Sequence, residues 1–364
     1  MVTITNAEVI ELSIPFSDPG KGEGLFPGAW NALDFALLRL ETDNGLTGWG
    51  EGFSYFCRPA VASVMRDSVI PLLIGKDPTD FSPILAELRQ KLHIIGRYGI
   101  TMFAISSADI ALHDLAAKVE GISLATYLGG LRRAEVPAYA SLIRYADSTL
   151  VSQIAMKSVD EGYRTIKTHE IDLGHIQAAR NAVGADIALI NDVNCNWTTQ
   201  QTLDWADDLR ALNLKWLEEP IFPPEDFAAI ARLRRETGLP IATGENCCTA
   251  HQFEEMINAG AADFIQPSVT KVGGIAETMS ARHLAAAAEV KVALHSPYFG
   301  PGYLATLQIL GAAPEEELFE YLYIDREADL YGGALSPVAG QVEIPTGVGL
   351  GLEPDLEVIA RYQV

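Results

Sequence analysis

Basic residues are scarce in this chain: 26 lysines and arginines stand against 48 aspartates and glutamates, for a formal net charge of -22. No run of Lys or Arg offsets a phosphate field, which argues against nucleic acid and anionic membranes as partners and favours small molecules. Cysteine is almost missing too. Cys57, Cys195, Cys247 and Cys248 are too few and too irregular for a disulfide framework. A zinc site at Cys195, Cys247 and Cys248 would need a CxxC or HxxxH spacing, and none accompanies them. Long apolar runs are lacking as well: no stretch reaches the roughly 18 residues of a membrane span, and MVTITNAEVIELSIPF has no basic region ahead of an apolar core. A cytoplasmic protein is the expectation.

What is present is a large supply of core. At 364 residues and 48% hydrophobic, the chain suits a barrel of about 200 to 250 residues plus a smaller domain. Its beginning is β-rich: VTITNAEVIELSI and ALDFALLRLETD alternate, and Asp43-Asn44-Gly45 closes a hairpin into LTGWGEG. Between the first two lies FSDPGKGEGLFPGAWN, rich in glycine and proline, which reads as a mobile loop, a candidate lid. From about residue 59 to 128 the period is helical. In TMFAISSADIALHDLAAKVEG, Ile105, Ala108, Leu112 and Leu115 fall on one face and Gly121 ends the run.

After residue 134 strand and helix alternate. VPAYASL, YRTIKT, DIALIND, LKWLEE, PIATGE, ADFIQPS, VKVALHS and LFEYLY read as eight strands about 25 residues apart, which means a parallel barrel. The last segment, SPVAGQVEIPTGVGLGLEPD, lacks this rhythm. Its GVGLG run is a loop and no dinucleotide fingerprint, because no strand-turn-helix unit follows. The expected organisation is an α+β capping domain over 1–130, a barrel over 131–325, and a segment over 326–364 that returns to the cap.

In such a barrel the C-terminal strand ends point into one cavity. They carry Ser141; Lys167 and His169; Asp192 and Asn194; Glu218; Glu245; Ser268; His295; and Glu320. Asp192, Glu218 and Glu245 are separated by 26 and 27 residues, so acids one repeat apart converge. Three carboxylates repel unless a cation lies between them, and an all-oxygen donor set suits a hard divalent ion. Glu219 competes with Glu218, but alternation within KWLE favours Glu218. Lys167 and His169, two apart, share a strand face. The patterns around His93, His113, His175, His251 and His283 read as helix or surface.

The acids of INDVN, WLEEP and TGEN, the lysine of IKTH, the glycines of TKVGG, the histidine of ALHSP and the tail IPTGVGLGLEPD resemble the enolase superfamily, in its mandelate racemase/muconate lactonizing enzyme branch. The resemblance spans nearly the whole chain. It implies a (β/α)7β modified TIM barrel with an α+β capping domain, and Mg2+ held by Asp192, Glu218 and Glu245. It also implies removal of the proton α to a carboxylate through a metal-stabilised enediolate, with a Lys or His base beside Mg2+ as is already known for this superfamily. Lys167 matches a lysine that touches the substrate carboxylate, His169 the position of the base, His295 the catalytic histidine of the racemase subgroup, and Glu320 an acid that hydrogen-bonds the substrate. At position 268, where an aspartate normally pairs with that histidine, this chain has Ser268.

Tyr55 and Arg58 resemble a family loop that closes over the site, and Arg144 and Tyr145 are further candidates beside it. Ser141, Asn194 and Ser268 complete the expected substrate contacts. The expected reaction is dehydration of a sugar acid or similar hydroxy acid. A racemase, epimerase or cycloisomerase using the same enediolate is the alternative, and a non-catalytic binding protein a minor one. A small-molecule carboxylate as substrate and a homo-oligomeric assembly complete these expectations.

Overall fold

The computed structural model describes residues 2–20, 30–314 and 317–364. The centre of the expected lid therefore lies outside the described residues. Three antiparallel strands, β1 (Ile4–Ser17), β2 (Ala32–Thr42) and β3 (Thr47–Gly52), build the first sheet. Gly45 at φ 83° makes the β2–β3 turn, a backbone region that costs glycine little. Strand period does the sorting on β2. Leu33, Phe35 and Leu37 join the core shared with the barrel, whereas Ala36, Leu38 and Leu40 join a second core against helices of the cap. The sheet is thus covered on both faces.

The helix Ile100–Glu120 ends on Gly121, which is left-handed at φ 70°, as helix C-termini favour. The expectation of one buried face is corrected here: residues around its whole circumference are buried, from Met102 to Ala117. The reason is its position, with β3 on one side and barrel elements on the other. At 21 residues it is long and apolar enough to cross a membrane, but it is almost wholly buried inside the protein, as a core helix is. Its approach to β3 is very close. A Cβ on Gly50 would lie 1.8 Å from the Ser107 carbonyl oxygen, so no other residue fits there.

All eight expected barrel strands form: β4 (Glu135–Ser141), β5 (Thr165–Thr168), β6 (Ala188–Asp192), β7 (Leu214–Glu218), β8 (Ile241–Thr243), β9 (Phe264–Ile265), β10 (Lys291–Val292) and β11 (Phe319–Leu322). They pair in parallel in the order β10-β9-β8-β7-β6-β5-β4-β11. Helices between them start on side-chain caps, among them Asp147, Asp172, Thr198, Asp226 and Thr249, each satisfying an otherwise unpaired N–H. Among the described residues no ladder joins β10 to β11. Their join is made by Ser296, whose N–H donates to Glu320 Oε2 at 3.0 Å and whose hydroxyl donates to the Glu320 carbonyl at 3.0 Å.

The C-terminal segment touches both parts. Strand β12 (Asp325–Arg326) extends the first sheet beside β1, and β13 (Gln341–Glu343) pairs with β4. The helix Leu356–Tyr362 leads to Val364, whose N–H donates to the Glu11 carbonyl of β1.

Polar groups of the cap dock it on the barrel. Ser106 accepts from Gly273 N–H at 2.9 Å and Asp109 from Ile275 N–H at 2.5 Å, while Asp114 ties the cap strand β3 to the C-terminal segment by accepting from Trp49 N–H at 2.9 Å and Leu350 N–H at 2.8 Å. Glu51 of β3 accepts from Gly302 N–H at 2.8 Å, at the start of the helix Pro301–Gly311. Burial pushes the Glu51 carboxyl up to about 8, against the opposing effect of the Gly302 and Gly300 N–H groups.

A raised folded-state pKa means the fold holds a proton that the unfolded chain releases above its ordinary carboxylate range, so stability falls as pH rises from about 4.5 to about 8. Urea unfolding of the wild type should lose roughly 3–5 kcal/mol more over that window than Glu51→Gln does. Parallel pH profiles for the two proteins would show that burial does not hold the proton on Glu51.

Candidate functional site

The barrel strands deliver the expected acids to one place. Asp192 ends β6 and Glu218 ends β7, while Glu245 follows β8 by two residues. All three are buried, and a carboxylate oxygen of each lies within 4.8 Å of the others. This is the one group among the described residues with the donors to hold a metal ion. Asp192 Oδ2 is buried and accepts no hydrogen bond among the described residues, although Lys167 Nζ stands 3.5 Å away and His169 Nε2 3.4 Å away. A converging all-oxygen set with an unsatisfied buried oxygen fits a hard divalent cation. Glu218 is fixed from the other side by Trp216, whose indole N–H donates to Oε2 at 2.8 Å.

Lys167 is the counter-charge. Its ammonium lies 2.9 Å from Glu218 Oε1 and 2.5 Å from Glu320 Oε1. Burial opposes its charge, but Glu218 and Glu320 outweigh that and hold its pKa well above the usual lysine value. Burial also works against the charge on Glu320, yet Lys167 and then His295 bring its carboxyl down to about 2. Burial raises the Glu218 carboxyl well above the usual range, with Lys167 acting the other way.

His169 is oriented by backbone. Its Nδ1 contacts the Leu142 carbonyl oxygen, which can only accept, so Nδ1 carries a proton and the other ring nitrogen, Nε2, faces Asp192 Oδ2 at 3.4 Å. Arg144 donates from Nε to the His169 carbonyl at 2.7 Å and approaches Asn194 Oδ1 at 3.5 Å. His295 enters from the far side of the barrel, with Nε2 3.3 Å from Glu245 Oε2 and a buried Nδ1 that has no hydrogen-bond partner among the described residues. Burial lowers its pKa below the usual imidazole value, against the pull of Glu245.

Of the expected residues, Ser141, Lys167, His169, Asp192, Asn194, Glu245, His295 and Glu320 line one cavity of about 480 Å³, while the fully buried Glu218 is absent from its lining. Ser141 donates to Glu320 Oε1 at 2.9 Å, and the Asn194 N–H donates to Asp192 Oδ1 at 2.8 Å. A cavity of about 580 Å³ lies at the opposite barrel end, around Lys215, Trp216 and Lys291. It holds none of these acids, so size does not identify the site.

Three expectations are corrected. Arg58 does not reach the cavity: it ion-pairs with Glu11 and Asp34 of the cap sheet, and those two carboxylates lie on the strands that its helix packs against. Ser268 is fully buried and is absent from the cavity lining. The chain turns just there, with Lys271 N–H and Val272 N–H both donating to the Ser268 carbonyl at 2.9 Å. Arg144 and Tyr145 do not line the cavity either; Arg144 supports His169, and the Tyr145 N–H donates to Glu170 at 2.8 Å. Tyr55 does line it, through its ring, because its hydroxyl donates to the Pro297 carbonyl at 2.6 Å.

Two residues enter the site that spacing did not single out. The turn after Ser268 swings Lys271 into the cavity, 3.3 Å from Glu245 Oε1 and 3.4 Å from Asn246 Oδ1. The TKVGG motif was its only signal. Glu219 also lines the cavity, at φ 43°, and accepts from Asn246 Nδ2 at 2.8 Å. The left-handed backbone breaks the alternation that assigned it elsewhere.

Comparison with known proteins agrees with this geometry. Residues 28–129 match the model of the mandelate racemase/muconate lactonizing enzyme N-terminal domain, and residues 150–358 that of the enolase C-terminal domain-like family. The chain belongs to the mandelate racemase/muconate lactonizing enzyme branch of the enolase superfamily. It is 32% identical to D-galactarolactone cycloisomerase of Agrobacterium fabrum, over 90% of this chain and 91% of that protein. It is 30% identical to D-xylonate dehydratase of Haloferax volcanii, over 90% and 85%. A racemase from Streptomyces coelicolor with bound magnesium superposes with a TM-score of 0.86 at 27% identity, covering 99% of this chain and all of that one. As a member of this branch, the protein is an enzyme of the lyase or isomerase kind.

Removing Lys167 leaves buried acids without compensation. Lys167→Met should lower unfolding stability at pH 8 by roughly 3–5 kcal/mol, and by less at pH 5, where the carboxylates take up protons. Equal losses at both pH values would show that the ammonium does not neutralise the cluster.

Proposed function

We propose that this enzyme dehydrates a 2,3-dihydroxy carboxylate to a 2-oxo acid, with Mg2+ held by Asp192, Glu218 and Glu245. The observation that carries the reading is that His169, with Nδ1 on the Leu142 carbonyl and Nε2 toward Asp192, and a second imidazole, His295, line one cavity with Asp192 and Glu245, beside the buried Glu218. When bound, the cation supplies the positive charge that an α-proton beside an ionised carboxylate needs before any side chain can remove it.

The chain's own residues do the rest. Lys167, held charged by Glu218 and Glu320, binds and orients the substrate carboxylate and is no base at neutral pH. His169 Nε2 takes the C2 proton, with Nδ1 anchored on the Leu142 carbonyl and Arg144 donating to the His169 backbone carbonyl. His295 gives a proton to the hydroxyl leaving C3, which departs as water, and the enol left behind tautomerises to the ketone. Burial lowers the proton affinity of His295, which suits a donor better than a base that must keep the proton it abstracts. With Ser268 outside the cavity, no carboxylate among the described residues pairs with Nδ1 to stabilise an imidazolium, which points the same way. The dehydratases among its relatives lend support. The cycloisomerase, at 32% identity, favours the second reading, an isomerase in which both histidines exchange protons with the substrate.

Deuterium incorporation at C2 in D2O, followed by proton NMR, tests the reading. Exchange should vanish on exhaustive chelation and in Glu245→Gln and His169→Asn. In His295→Asn exchange should persist while 2-oxo acid formation falls at least about a hundredfold, on the scale typical for a general acid. Loss of exchange with only one stereoisomer in His295→Asn, and no 2-oxo acid from the wild type, would establish the isomerase instead.

A further inference from the structure

The reacting groups occupy one side of the cavity, and the wall facing them is of another character. It is formed by Trp30, Phe53, Tyr55, Phe103, Phe222 and Leu322. Three of the rings form a continuous cluster of tilted pairs, with centroids 5.3 Å apart for Trp30–Tyr55 and 5.1 Å for Phe53–Tyr55, and Phe103 extends it edge-on at 5.4 Å from Phe53. The cap contributes all four of these rings, and Phe222 overhangs from the loop after β7.

The polar handles of this wall are already engaged. Tyr55 donates its hydroxyl to the Pro297 carbonyl, and Trp30 donates its indole N–H to the Ala32 carbonyl at 2.9 Å. The nearby cations are engaged as well: Arg58 by Glu11 and Asp34, Arg144 by the His169 carbonyl, and Lys271 by Glu245 and Asn246. A substrate chain that extends beyond its reacting carbons toward these rings therefore meets aromatic faces, with Lys271 Nζ 4.6 Å from the Phe53 centroid and Asn194, Glu219 and Asn246 lining other parts of the cavity. A polyhydroxylated chain placed there would exchange water for aromatic faces, and each stranded hydroxyl weakens binding by on the order of tenfold to a hundredfold. A hydrocarbon chain gains from the same burial.

We infer that the substrate is a 2,3-dihydroxy carboxylate whose chain beyond C3 is an aryl or alkyl group, in place of the polyhydroxyl chain of a sugar acid. This rests on the dehydration reading for its first three carbons and on the aromatic wall for the remainder.

The test compares three acids with the same C1 to C3 and different C4 substituents: phenyl, polyhydroxyalkyl and trimethylammonium. With the Mg2+-loaded enzyme, kcat/KM for C2 exchange should be at least about a hundredfold higher for the phenyl acid than for the hydroxylated one. Phe222 is 76% exposed, so Phe222→Ala should fold normally, and it should raise KM for the phenyl acid about tenfold while leaving the hydroxylated acid unchanged. Equal or faster turnover of the sugar acid overturns the inference and leaves the reaction standing. Preference for the trimethylammonium acid overturns it too, by assigning the rings to a cation. If none of the acids exchanges, the dehydration reading fails. The wall is then decided by calorimetric titration with unreactive 2-hydroxy acids: tighter binding of the phenyl compound than of its polyhydroxyl counterpart supports the inference, and the reverse order overturns it.

Discussion

Mutual repulsion among buried carboxylates is the constraint on which the rest of this structure depends. Asp192, Glu218, Glu219, Glu245 and Glu320 crowd one end of a barrel, all nearly hidden from water, with Lys167 and Lys271 as the buried ammonium groups beside them. Such a cluster is tolerable only with further positive charge or with protons retained on some of the acids. Both responses are visible. Lys167 touches three carboxylates, and Glu218 and Glu219 have their pKa values raised well above normal, chiefly by burial. A hard divalent ion relieves the same stress, which is why the donor set and its surroundings read as a cation site.

The barrel can carry that stress because the cap does not share it. Reacting groups come from the strand ends, and most of the opposing aromatic wall comes from the cap. The two are locked by barrel backbone N–H groups that donate to the side-chain oxygens of Glu51, Ser106 and Asp109. Gly274, at φ 93°, belongs to this lock, since a Cβ there would lie 2.3 Å from Asp109. The acid cluster and the aromatic wall thus sit on different elements of one frame.

Much of this was legible in the sequence, and the exceptions have physical causes. Eight strands and three metal-type acids followed from spacing, because a repeated strand-helix unit translates directly into position around a barrel. The period of two placed Lys167 and His169 together for the same reason. Arg58 was misread because a charge in a loop gives no sign of its partners, and here Glu11 and Asp34 come from strands brought near only by folding. Lys271 was overlooked because it follows a turn, where the strand period no longer applies. The helix Ile100–Glu120 looked one-sided because periodicity records the strongest apolar face and not what covers the other.

The unpaired junction between β10 and β11 has a mechanical consequence. Elsewhere around the barrel, neighbouring strands are joined by a backbone ladder, whereas along this line the join consists of side-chain contacts, the Ser296–Glu320 hydrogen bonds together with ring contacts such as Phe299–Tyr321. The same glutamate holds Lys167, so the edge without a ladder runs through a lysine–carboxylate pair that lines the cavity. The charge balance of the acid cluster and the closure of the barrel therefore meet in one side chain: Glu320 pairs with Lys167 on one side and holds Ser296 on the other.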